Sequence, residues 1–380
     1  MIRGLTIRIY PTKEQERLMI QHIGCQRFVY NWALAKNNEL YKKEQKKYSS
    51  NDLGKMLTQL KKEQGYEWLN DVSHATLKEA IRNLDKAYNG FYKKRSGLPQ
   101  FKSKRKCSQR FYSRYEKIKF NEKEVNLEKI GKVKYKSSYN IDLTQINKFS
   151  NPNVSFNGRC WVLCLGIEQT TEESQLEDKV LGIDLGIKRL AIVNIEGLDV
   201  CNINKTRAVR KLEKKLKRLQ RQCSKKYILN KKGESYQKTK NIEKLELKIK
   251  KLHRKLKNIR LNHLHQATNK LVKTKPRVVV MEDLKVSNMI KNKHLAKAIQ
   301  QQGFYVFINQ MKYKCEWHGI EFIQVPTFYP SSKTCSCCGN IKKDLKISDR
   351  VYECKECGYK VDRDKNAAYN LAKYGLSHSI

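Results

Sequence analysis

The stretch that decides the fold is residues 180–194, VLGIDLGIKRLAIVN. An apolar run ends at Asp184, a glycine turn follows, and a second apolar run begins. This pattern predicts a β-hairpin whose first strand is buried and carries an acid at its end. A carboxylate in so apolar a setting is costly unless a cation or hydrogen bonds compensate it. Asp184 is therefore interpreted as a metal-ligating carboxylate, or alternatively as a turn-forming aspartate before glycine.

A second apolar run also ends in acids. Residues 276–288 read PRVVVMEDLKVSN and predict a buried strand from Val278 to Met281, followed by Glu282 and Asp283. Taken alone, Glu282 fits an exposed strand-end acid as well as a site residue.

Two more acids stand in CGYKVDRDKNAAYNL, residues 357–371. We expect a helix to begin after Asp364, which makes Asp364 the helix N-cap. A capping acid is held rigidly, so Asp364 can also join Asp184 and Glu282 in a three-carboxylate set. Hard oxygen ligands select Mg²⁺ or Mn²⁺, and two such ions can activate water and stabilise the leaving oxygen of a phosphodiester. Asp362 is assigned a supporting role.

The cysteine spacing in residues 335–358 is the most specific signal. Two CxxC pairs, Cys335 with Cys338 and Cys354 with Cys357, each precede a glycine. They predict a four-thiolate zinc ribbon, which is structural because its coordination is closed. Cys337 lies too close to Cys335 to form the pair and is interpreted as a non-ligand. Disulfides are disfavoured in a cytosolic chain.

Charge predicts the kind of partner. The 380 residues include 80 Lys+Arg against 37 Asp+Glu, a formal net charge of +43. Such a surplus opposes folding by self-repulsion unless a polyanion neutralises it. Nucleic acid is the polyanionic partner that this charge favours most, and an anionic membrane surface is the weaker alternative. No apolar run approaches the roughly 18 residues of a membrane span, and no signal-peptide core is seen, so we expect a cytoplasmic protein.

The pattern of the N-terminal half, up to about residue 170, predicts a strand, then a helical stretch, then several short strands. Residues 2–10 alternate like a strand, and Thr12 with Gln15 fits a capping box at a helix start. Helical character continues to about residue 95, and short strands fill residues 110–170. A small β-domain interrupted by helices is the predicted arrangement, with an acidic linker at 170–178 and a new domain from Lys179.

Two basic segments are candidate nucleic-acid surfaces. Residues 205–260 hold 23 Lys/Arg and four Asp/Glu, with leucines and isoleucines repeating at intervals of three and four. They predict two long paired helices that turn near NKKGES, with basic outer faces. The loop KKRSGLPQFKSKRK, residues 93–106, is either a surface that follows phosphates and stacks bases or a solvated linker.

Together these segments resemble the TnpB family, the RNA-guided DNA endonucleases of insertion sequences that are related to type V CRISPR effectors. The resemblance covers nearly the whole chain, in the family's order, and its motifs here are YPTKEQ, GCQRFVYN, GLPQFKSKR, GIDLGIK, VVVMEDLKVSNM, YPSSKTCSCCG and CKECGYKVDRDKNAAYNLA.

The resemblance implies an α/β multidomain fold. It implies an RNase H-like RuvC nuclease domain with an inserted zinc ribbon, and an N-terminal β-barrel-type (wedge) domain interrupted by a helical recognition domain. The expected boundaries are 1–10 and 100–175 for the wedge domain, 11–99 for the recognition domain, 179–331 and 359–380 for the RuvC domain with its basic hairpin 205–262, and 332–358 for the ribbon.

The resemblance also implies the chemistry. The family's three nuclease acids fall on Asp184, Glu282 and Asp364, with Mg²⁺ or Mn²⁺ as cofactor. A guide RNA from the element's end would bind the protein, a short adjacent motif in double-stranded target DNA would be recognised, and both strands would be cut. A nuclease-silent guided repressor is the alternative. An actin-like ATPase is disfavoured because further glycine-rich segments are absent, and a strand-transferring transposase is disfavoured by the resemblance.

Further expectations concern contacts and location. We expect a monomer in the RNA complex, located in the prokaryotic cytoplasm and on the nucleoid when bound to DNA. Arg363 is interpreted as a phosphate contact or, equally, as an ordinary surface arginine. The residues near the family's motif positions that we expect to contact nucleic acid are Tyr30, Asn31, Lys102, Lys104, Arg105 and Arg363.

Overall fold

The structure is a computed structural model. It describes residues 2–104, 107–137, 139, 141–146, 148–168, 175–346 and 349–378. The chain divides into two compact units, residues 1–170 and 171–380.

The first unit contains seven strands and three α-helices within its described residues. In chain order they are β1 (Ile2–Tyr10), α1 (Lys13–Glu44), α2 (Ser50–Leu60), α3 (His74–Tyr92), β2 (Arg110–Tyr112), β3 (Lys119–Phe120), β4 (Glu124–Leu127), β5 (Gly131–Lys136), β6 (Phe149–Phe156) and β7 (Trp161–Glu168).

The seven strands form one antiparallel sheet in the order β2-β6-β7-β1-β5-β4-β3. Strand β1 lies between β7 and β5, so the first strand of the chain pairs with strands that follow the helices. Leu5, Ile7 and Ile9 alternate inward and are at most 1% exposed, which is the period expected of a strand with one buried face. The helices are therefore an insertion between β1 and the rest of its sheet.

Helix α1 begins as the sequence predicted. The Thr12 side chain accepts from the backbone of Gln15 at 3.2 Å, and the Gln15 side chain accepts from the backbone of Thr12 at 3.0 Å. This reciprocal pair confirms the capping box. Helices α1, α2 and α3 enclose a hydrophobic core of their own, which includes Leu34, Leu57 and Leu77.

The second unit contains the remaining elements. They are β8 (Glu177–Leu185), β9 (Ala191–Val193), α4 (Arg207–Leu229), β10 (Lys231–Lys232), β11 (Ser235–Tyr236), α5 (Lys240–Val272), β12 (Pro276–Glu282), α6 (Val286–Met289), α7 (Lys293–Gln302), α8 (Phe304–Trp317), β13 (Glu321–Val325), β14 (Val351–Glu353), β15 (Lys360–Asp362) and α9 (Arg363–His378).

A four-stranded sheet with the order β13-β12-β8-β9 forms the centre of this unit. Strands β8 and β9 form the predicted antiparallel hairpin, whereas β12 runs parallel to both β8 and β13. Val278, Val279 and Val280 are fully buried in the middle of the sheet. Strands buried on both faces read as continuous apolar runs, which explains why both runs were recognisable in the sequence.

Helix α9 crosses β8 in direct contact because Gly182 has no side chain. A Cβ at Gly182 would lie 2.1 Å from the carbonyl oxygen of Ala368 and 2.5 Å from the backbone nitrogen of Ala372. At the other end of the contact, a Cβ at Gly375 would lie 2.5 Å from a methyl group of Val280. These two glycines fix the depth at which α9 packs on the sheet.

The predicted pair of long basic helices is present as α4 and α5. They are joined by the short hairpin β10–β11, near the expected turn. Leu252 and Leu256 are buried along the seam, and Tyr227 of α4 donates to Glu246 of α5 at 2.7 Å.

Two elements extend past the expected domain boundaries, which stay predictions. Strand β8 begins at Glu177, two residues before the expected domain start at Lys179. Strand β15 (Lys360–Asp362) lies beyond the expected end of the ribbon at residue 358, pairs with β14 and leads directly into α9. No helix within the described part of the chain is long and apolar enough to cross a membrane.

Candidate active site and metal centre

Two acids meet because their strands are parallel neighbours. Ile183 of β8 pairs with Met281 of β12. The next residue on each strand is Asp184 or Glu282, so the two carboxylates leave the same edge of the sheet side by side. The strand-end acids that the sequence singled out are therefore brought together by register.

The third acid, Asp364, lies in the first turn of α9. Ala368 rests on Gly182, and Asp364 lies four residues, or about one helical turn, before Ala368. Asp364 therefore lies beside Asp184, which is two residues beyond Gly182 on its strand. Burial and then the negative charges of Glu282 and Asp364 raise the pKa of Asp184 to about 8, and the charge of Arg363 opposes that rise. The cluster is short of positive charge in the absence of a cation.

Other side chains already contact two of these acids. Ser331 donates its hydroxyl to Glu282. The Arg363 guanidinium contacts one oxygen of Asp364, at 3.1 Å from Nη2 and 3.3 Å from Nε. The Arg363 side chain is only 17% exposed, which corrects its interpretation as an ordinary surface arginine. Neither of these partners uses every carboxylate lone pair, so oxygen ligands remain for a divalent cation.

The helix cap is Asp362, not Asp364. Helix α9 begins at Arg363, and one oxygen of Asp362 accepts from the backbone of Asp364 at 3.0 Å and of Lys365 at 3.2 Å. These are the N2 and N3 amides that an N-cap side chain satisfies. The expected helix start after Asp364 was wrong by two residues, and the correction leaves the Asp364 carboxylate free of the capping role.

The four predicted zinc ligands converge. The sulfur atoms of Cys335, Cys338, Cys354 and Cys357 all lie within 4.8 Å of one another. The Cys335–Cys357 and Cys338–Cys354 sulfur pairs are 3.7 Å and 3.6 Å apart. Zn–S bonds of about 2.3 Å in a tetrahedron place sulfurs about 3.8 Å apart, so the residues fit Zn²⁺. Cys337 is exposed and outside the cluster.

The four thiols share their negative charge unevenly in the absence of an ion. Hydrogen bonding from the backbone of Cys357 lowers the pKa of the Cys354 thiol to about 6, whereas burial and the neighbouring sulfurs raise the pKa of Cys357 to about 12 and also raise that of Cys338. A thiolate is the form that binds metal, so a cation would be needed to hold all four in that form. Within the described residues, this is the one group of three or more His, Cys, Asp or Glu whose ligand atoms lie so close together. The acid cluster is more open.

Two buried asparagines of α9 hold segment 331–336 against the helix that carries Asp364, and the sequence did not reveal them. Asn366 donates to the carbonyl of Thr334 at 2.7 Å and accepts from the backbone of Ser336 at 3.0 Å. Asn370 donates to the carbonyls of Ser331 at 2.7 Å and Thr334 at 2.6 Å. The same segment thus supplies the Glu282 partner and leads into the first zinc cysteine. Their i, i+4 spacing was the available signal.

The residues of the first unit that we expect to contact nucleic acid differ in their surroundings. The Asn31 amide donates to the Lys102 carbonyl at 2.9 Å and accepts from the Lys102 backbone N–H at 2.8 Å, so Asn31 positions the loop, and its contact with nucleic acid stays a prediction. Tyr30 is buried, and Lys102 Nζ lies 3.4 Å from its ring centroid. Lys104 is exposed, and Arg105 lies outside the described residues.

A basic groove runs between α4 and α5. Its cavity of about 550 Å³ has leucines on the floor and cations on both rims, and is lined by Leu212, Lys215, Arg218, Leu219, Lys248, Lys251, Leu252 and Lys255. Cations on two rims at helical spacing match a phosphate backbone laid along the hairpin.

Three family descriptions match parts of this chain. They are "Helix-turn-helix domain" over residues 1–46, "Probable transposase" over 163–293, and "Cas12f1-like, TNB domain" over 304–371. In the structure, residues 2–44 fold as strand β1 and the single long helix α1.

Relatives match over the full length. A protein of Streptomyces pristinaespiralis named as an RNA-guided DNA endonuclease is 31% identical over 99% of this chain and 90% of its own. InsQ of Escherichia coli (strain K12), named likewise, is 29% identical over 98% of this chain and 92% of its own. The chain belongs to the TnpB family, and both of these full-length relatives are named as RNA-guided DNA endonucleases.

Solved structures agree on the fold. A Cas12f1 chain, from a complex with sgRNA and target DNA, has a TM-score of 0.59 at 15% identity and covers 98% of each chain. The mini-RNA-guided endonuclease Cas_phi3 has a TM-score of 0.51 at 11% identity, covering 99% of this chain and 92% of its own.

Proposed function

We propose that this protein is an RNA-guided DNA endonuclease that hydrolyses phosphodiester bonds at Asp184, Glu282 and Asp364. The observation that carries the proposal is the meeting of these acids at one sheet edge, by strand register and by the contact of α9 with Gly182. Family membership supplies the class of reaction and of guide. The membership does not by itself require active acids, whereas their juxtaposition does favour catalysis.

The finer assignment is an RNase H-like RuvC nuclease domain. It is supported by a sheet that combines an antiparallel hairpin with two parallel strands, and by the helix that brings the third acid. The expected names of the other parts stay predictions: a wedge domain for the first sheet, a recognition domain for α1–α3, and a zinc ribbon for the segment around β14 and β15.

Asp184, Glu282 and Asp364 are the residues that would hold Mg²⁺ or Mn²⁺. Their oxygen donors suit hard cations, and the raised pKa of Asp184 marks a site where added positive charge is favourable. Two such ions, when bound, activate the attacking water and stabilise the leaving oxygen. Ser331 orients Glu282 through its hydroxyl. Arg363 holds positive charge beside Asp364, and its contact with a DNA phosphate stays a prediction.

The partners follow from charge and from the family. A guide RNA is proposed to lie along the groove between α4 and α5, where the cations are dense. Base pairing between guide and target supplies sequence specificity, and the first unit recognises a short adjacent motif in the duplex. Both strands are then cut at the acids. A monomer in the RNA complex, in the cytoplasm and on the nucleoid when bound to DNA, completes the proposal.

Purification from cells that carry the surrounding locus tests it, with sequencing of the bound RNA. A plasmid library with a guide-matched target is then incubated with the complex and Mg²⁺. We expect cleavage of both strands by the wild type and none by Asp184→Ala, with the same RNA bound to each. Equal cleavage by Asp184→Ala would place the site elsewhere. Specific RNA and DNA binding without any wild-type cleavage would favour the repressor alternative.

A further inference from the structure

A second cavity lies within the first unit. It has a volume of about 390 Å³, in the range of small-ligand pockets. It lies among helices α1 and α3, the loop that holds Lys102 and the start of β2, and it is lined by Ile23, Gln26, Arg27, Tyr30, Asn83, Ala87, Lys102, Cys107, Ser108 and Arg110. We call it the Gln26 pocket.

The side chain of Gln26 places in the pocket a hydrogen-bond acceptor to which no described residue donates. Its amide oxygen is buried and has no hydrogen-bond partner among the residues that the structure describes. A buried acceptor without a donor is destabilising, and few such groups persist in folded proteins without a reason. A ligand that brings an N–H donor would satisfy this oxygen.

The same pocket gathers positive charge without a carboxylate. Arg27, Lys102 and Arg110 all line it, and no acid is among its described lining residues. Burial, followed by a smaller effect of the Arg110 charge, lowers the pKa of Lys102 although nearby Cys107 opposes this. Cations held together in a partly desolvated site favour an anion.

The wall of the pocket is fixed in place. The Asn31 amide clamps the backbone of Lys102, and the Lys102 ammonium lies over the Tyr30 ring. The two hydrogen bonds hold the Lys102 backbone against helix α1, and the cation–π contact holds its side chain there. A preorganised wall is characteristic of a site that recognises a defined group rather than a mobile surface that follows a backbone.

We propose that the Gln26 pocket binds one nucleotide withdrawn from its stack, with its phosphate on the cations and an exocyclic amino group of its base on the Gln26 oxygen. Adenine, cytosine and guanine carry such a group, whereas uracil and thymine offer only their ring N3–H as a donor. We therefore expect the pocket to prefer a base with an exocyclic amino group. This inference rests on the proposed function, because it takes the ligand from the guide RNA or the target DNA.

Removal of single amino groups tests the pocket and separates the two sources. In one arm, guide RNA carries inosine, purine riboside or zebularine at random positions. In the other, the target duplex carries inosine or purine deoxyriboside at each position in turn. Retention by the complex is measured, without cleavage, and the depleted positions are sequenced.

We expect one position at which loss of the amino group weakens retention by wild type about 2- to 10-fold, the value of one hydrogen bond. The position lies in the arm that supplies the nucleotide. Gln26→Leu should abolish this dependence, and Gln26→Glu, which keeps the acceptor, should retain it. Gln59→Leu, an exposed glutamine on α2, is the matched control and should behave as wild type.

Arg110→Gln tests the phosphate half of the pocket. It should weaken retention whatever base stands at the dependent position. A wild-type profile with no dependent position, or a Gln26→Leu profile identical to the wild type, would overturn the inference while leaving the nuclease proposal intact. If the wild type retains neither RNA nor DNA, the proposed function fails, and the role of the pocket fails with it.

Discussion

The Asp362 carboxylate caps helix α9 by accepting a hydrogen bond from the backbone N–H of Asp364 at 3.0 Å. Asp362 thus stabilises the first turn of the helix, on which Asp364 lies.

Substitution should separate these two roles. Asp364→Ala should abolish cleavage with little loss of stability, because it removes an acid of the cluster. Asp362→Ala should lower stability by about 1 kcal/mol, as lost N-caps do, and should reduce cleavage only partly. Asp362→Asn keeps a capping oxygen and is the control. Thermal melting and plasmid cleavage at unchanged RNA binding are the measurements, and abolition of cleavage by Asp362→Ala alone would reverse the assignment.

Asp184 should make the Mg²⁺-free protein less stable as pH rises. Its folded pKa of about 8 lies above its unfolded value of about 3.9. The folded state therefore binds more protons between these values, and stability falls from about pH 4 to about pH 8. Asp184→Asn lacks this penalty, so its melting temperature should exceed that of wild type by an amount that grows over this range.

Melting curves at several pH values, without added Mg²⁺ and with zinc retained, measure the difference. Mg²⁺ should then stabilise the wild type more than Asp184→Asn. A constant difference between the two proteins from pH 4 to pH 8 would contradict the prediction.

Zinc should be needed for cleavage although its site is closed. Cys354→Ser should lose the ion and lower the melting temperature, and cleavage should fall because segment 331–336 joins the four-cysteine cluster to α9. Cys337→Ser should retain zinc and activity, since Cys337 is exposed and outside the cluster. Metal analysis of both purified variants provides the test, and zinc loss in Cys337→Ser would show that our ligand set is incomplete.

Ser331 should matter for catalysis through Glu282. Its hydroxyl donates to that carboxylate, and loss of such an orienting partner commonly costs about 10- to 100-fold in activity or metal affinity. Ser331→Ala should therefore need more Mg²⁺ for half-maximal cleavage, and Ser331→Thr should recover part of the loss. Neighbouring Ser332→Ala is the control. An unchanged Mg²⁺ requirement in Ser331→Ala would limit Ser331 to a packing role.

The groove between α4 and α5 should account for part of the salt dependence of RNA binding. Replacement of its five rim cations by glutamine should weaken binding, because fewer RNA phosphates are then neutralised by the protein. The plot of log affinity against log salt should become shallower by about 0.7 to 0.9 for each phosphate that the variant no longer neutralises. The residues are Lys215, Arg218, Lys248, Lys251 and Lys255. Exchange of Lys for Arg and Arg for Lys at the same positions keeps the charge and should keep the slope.

The sequence predicted most features that depend on local pattern. The capping box at Thr12, the apolar strands ending in Asp184 and Glu282, and the paired basic helices are all encoded within a few dozen residues, where periodicity is visible. The start of α9 was misplaced by two residues because Asp362 and Asp364 are equally suitable caps, and helix ends are the weakest part of such predictions.

Long-range contacts were beyond the sequence. The two hydrogen bonds from the Asn31 amide to the backbone of Lys102 join residues 71 positions apart. The bonds from Asn366 and Asn370 to segment 331–336 span more than 30 residues, and the unpartnered oxygen of Gln26 is a property of packing alone. No periodicity reports such pairings.

The hydrogen bonds of Asn366 and Asn370 also bear on how the segment before α9 can be replaced. The segment that holds the four cysteines lies between β13 and α9, after the second acid and before the third, yet Asn366 and Asn370 bind its first residues to the helix that follows it. The two ends of this segment are thus held together by hydrogen bonds. Shortened or exchanged versions of the segment should be grafted beyond residue 336, with residues 331–336 and both asparagines kept as the junction.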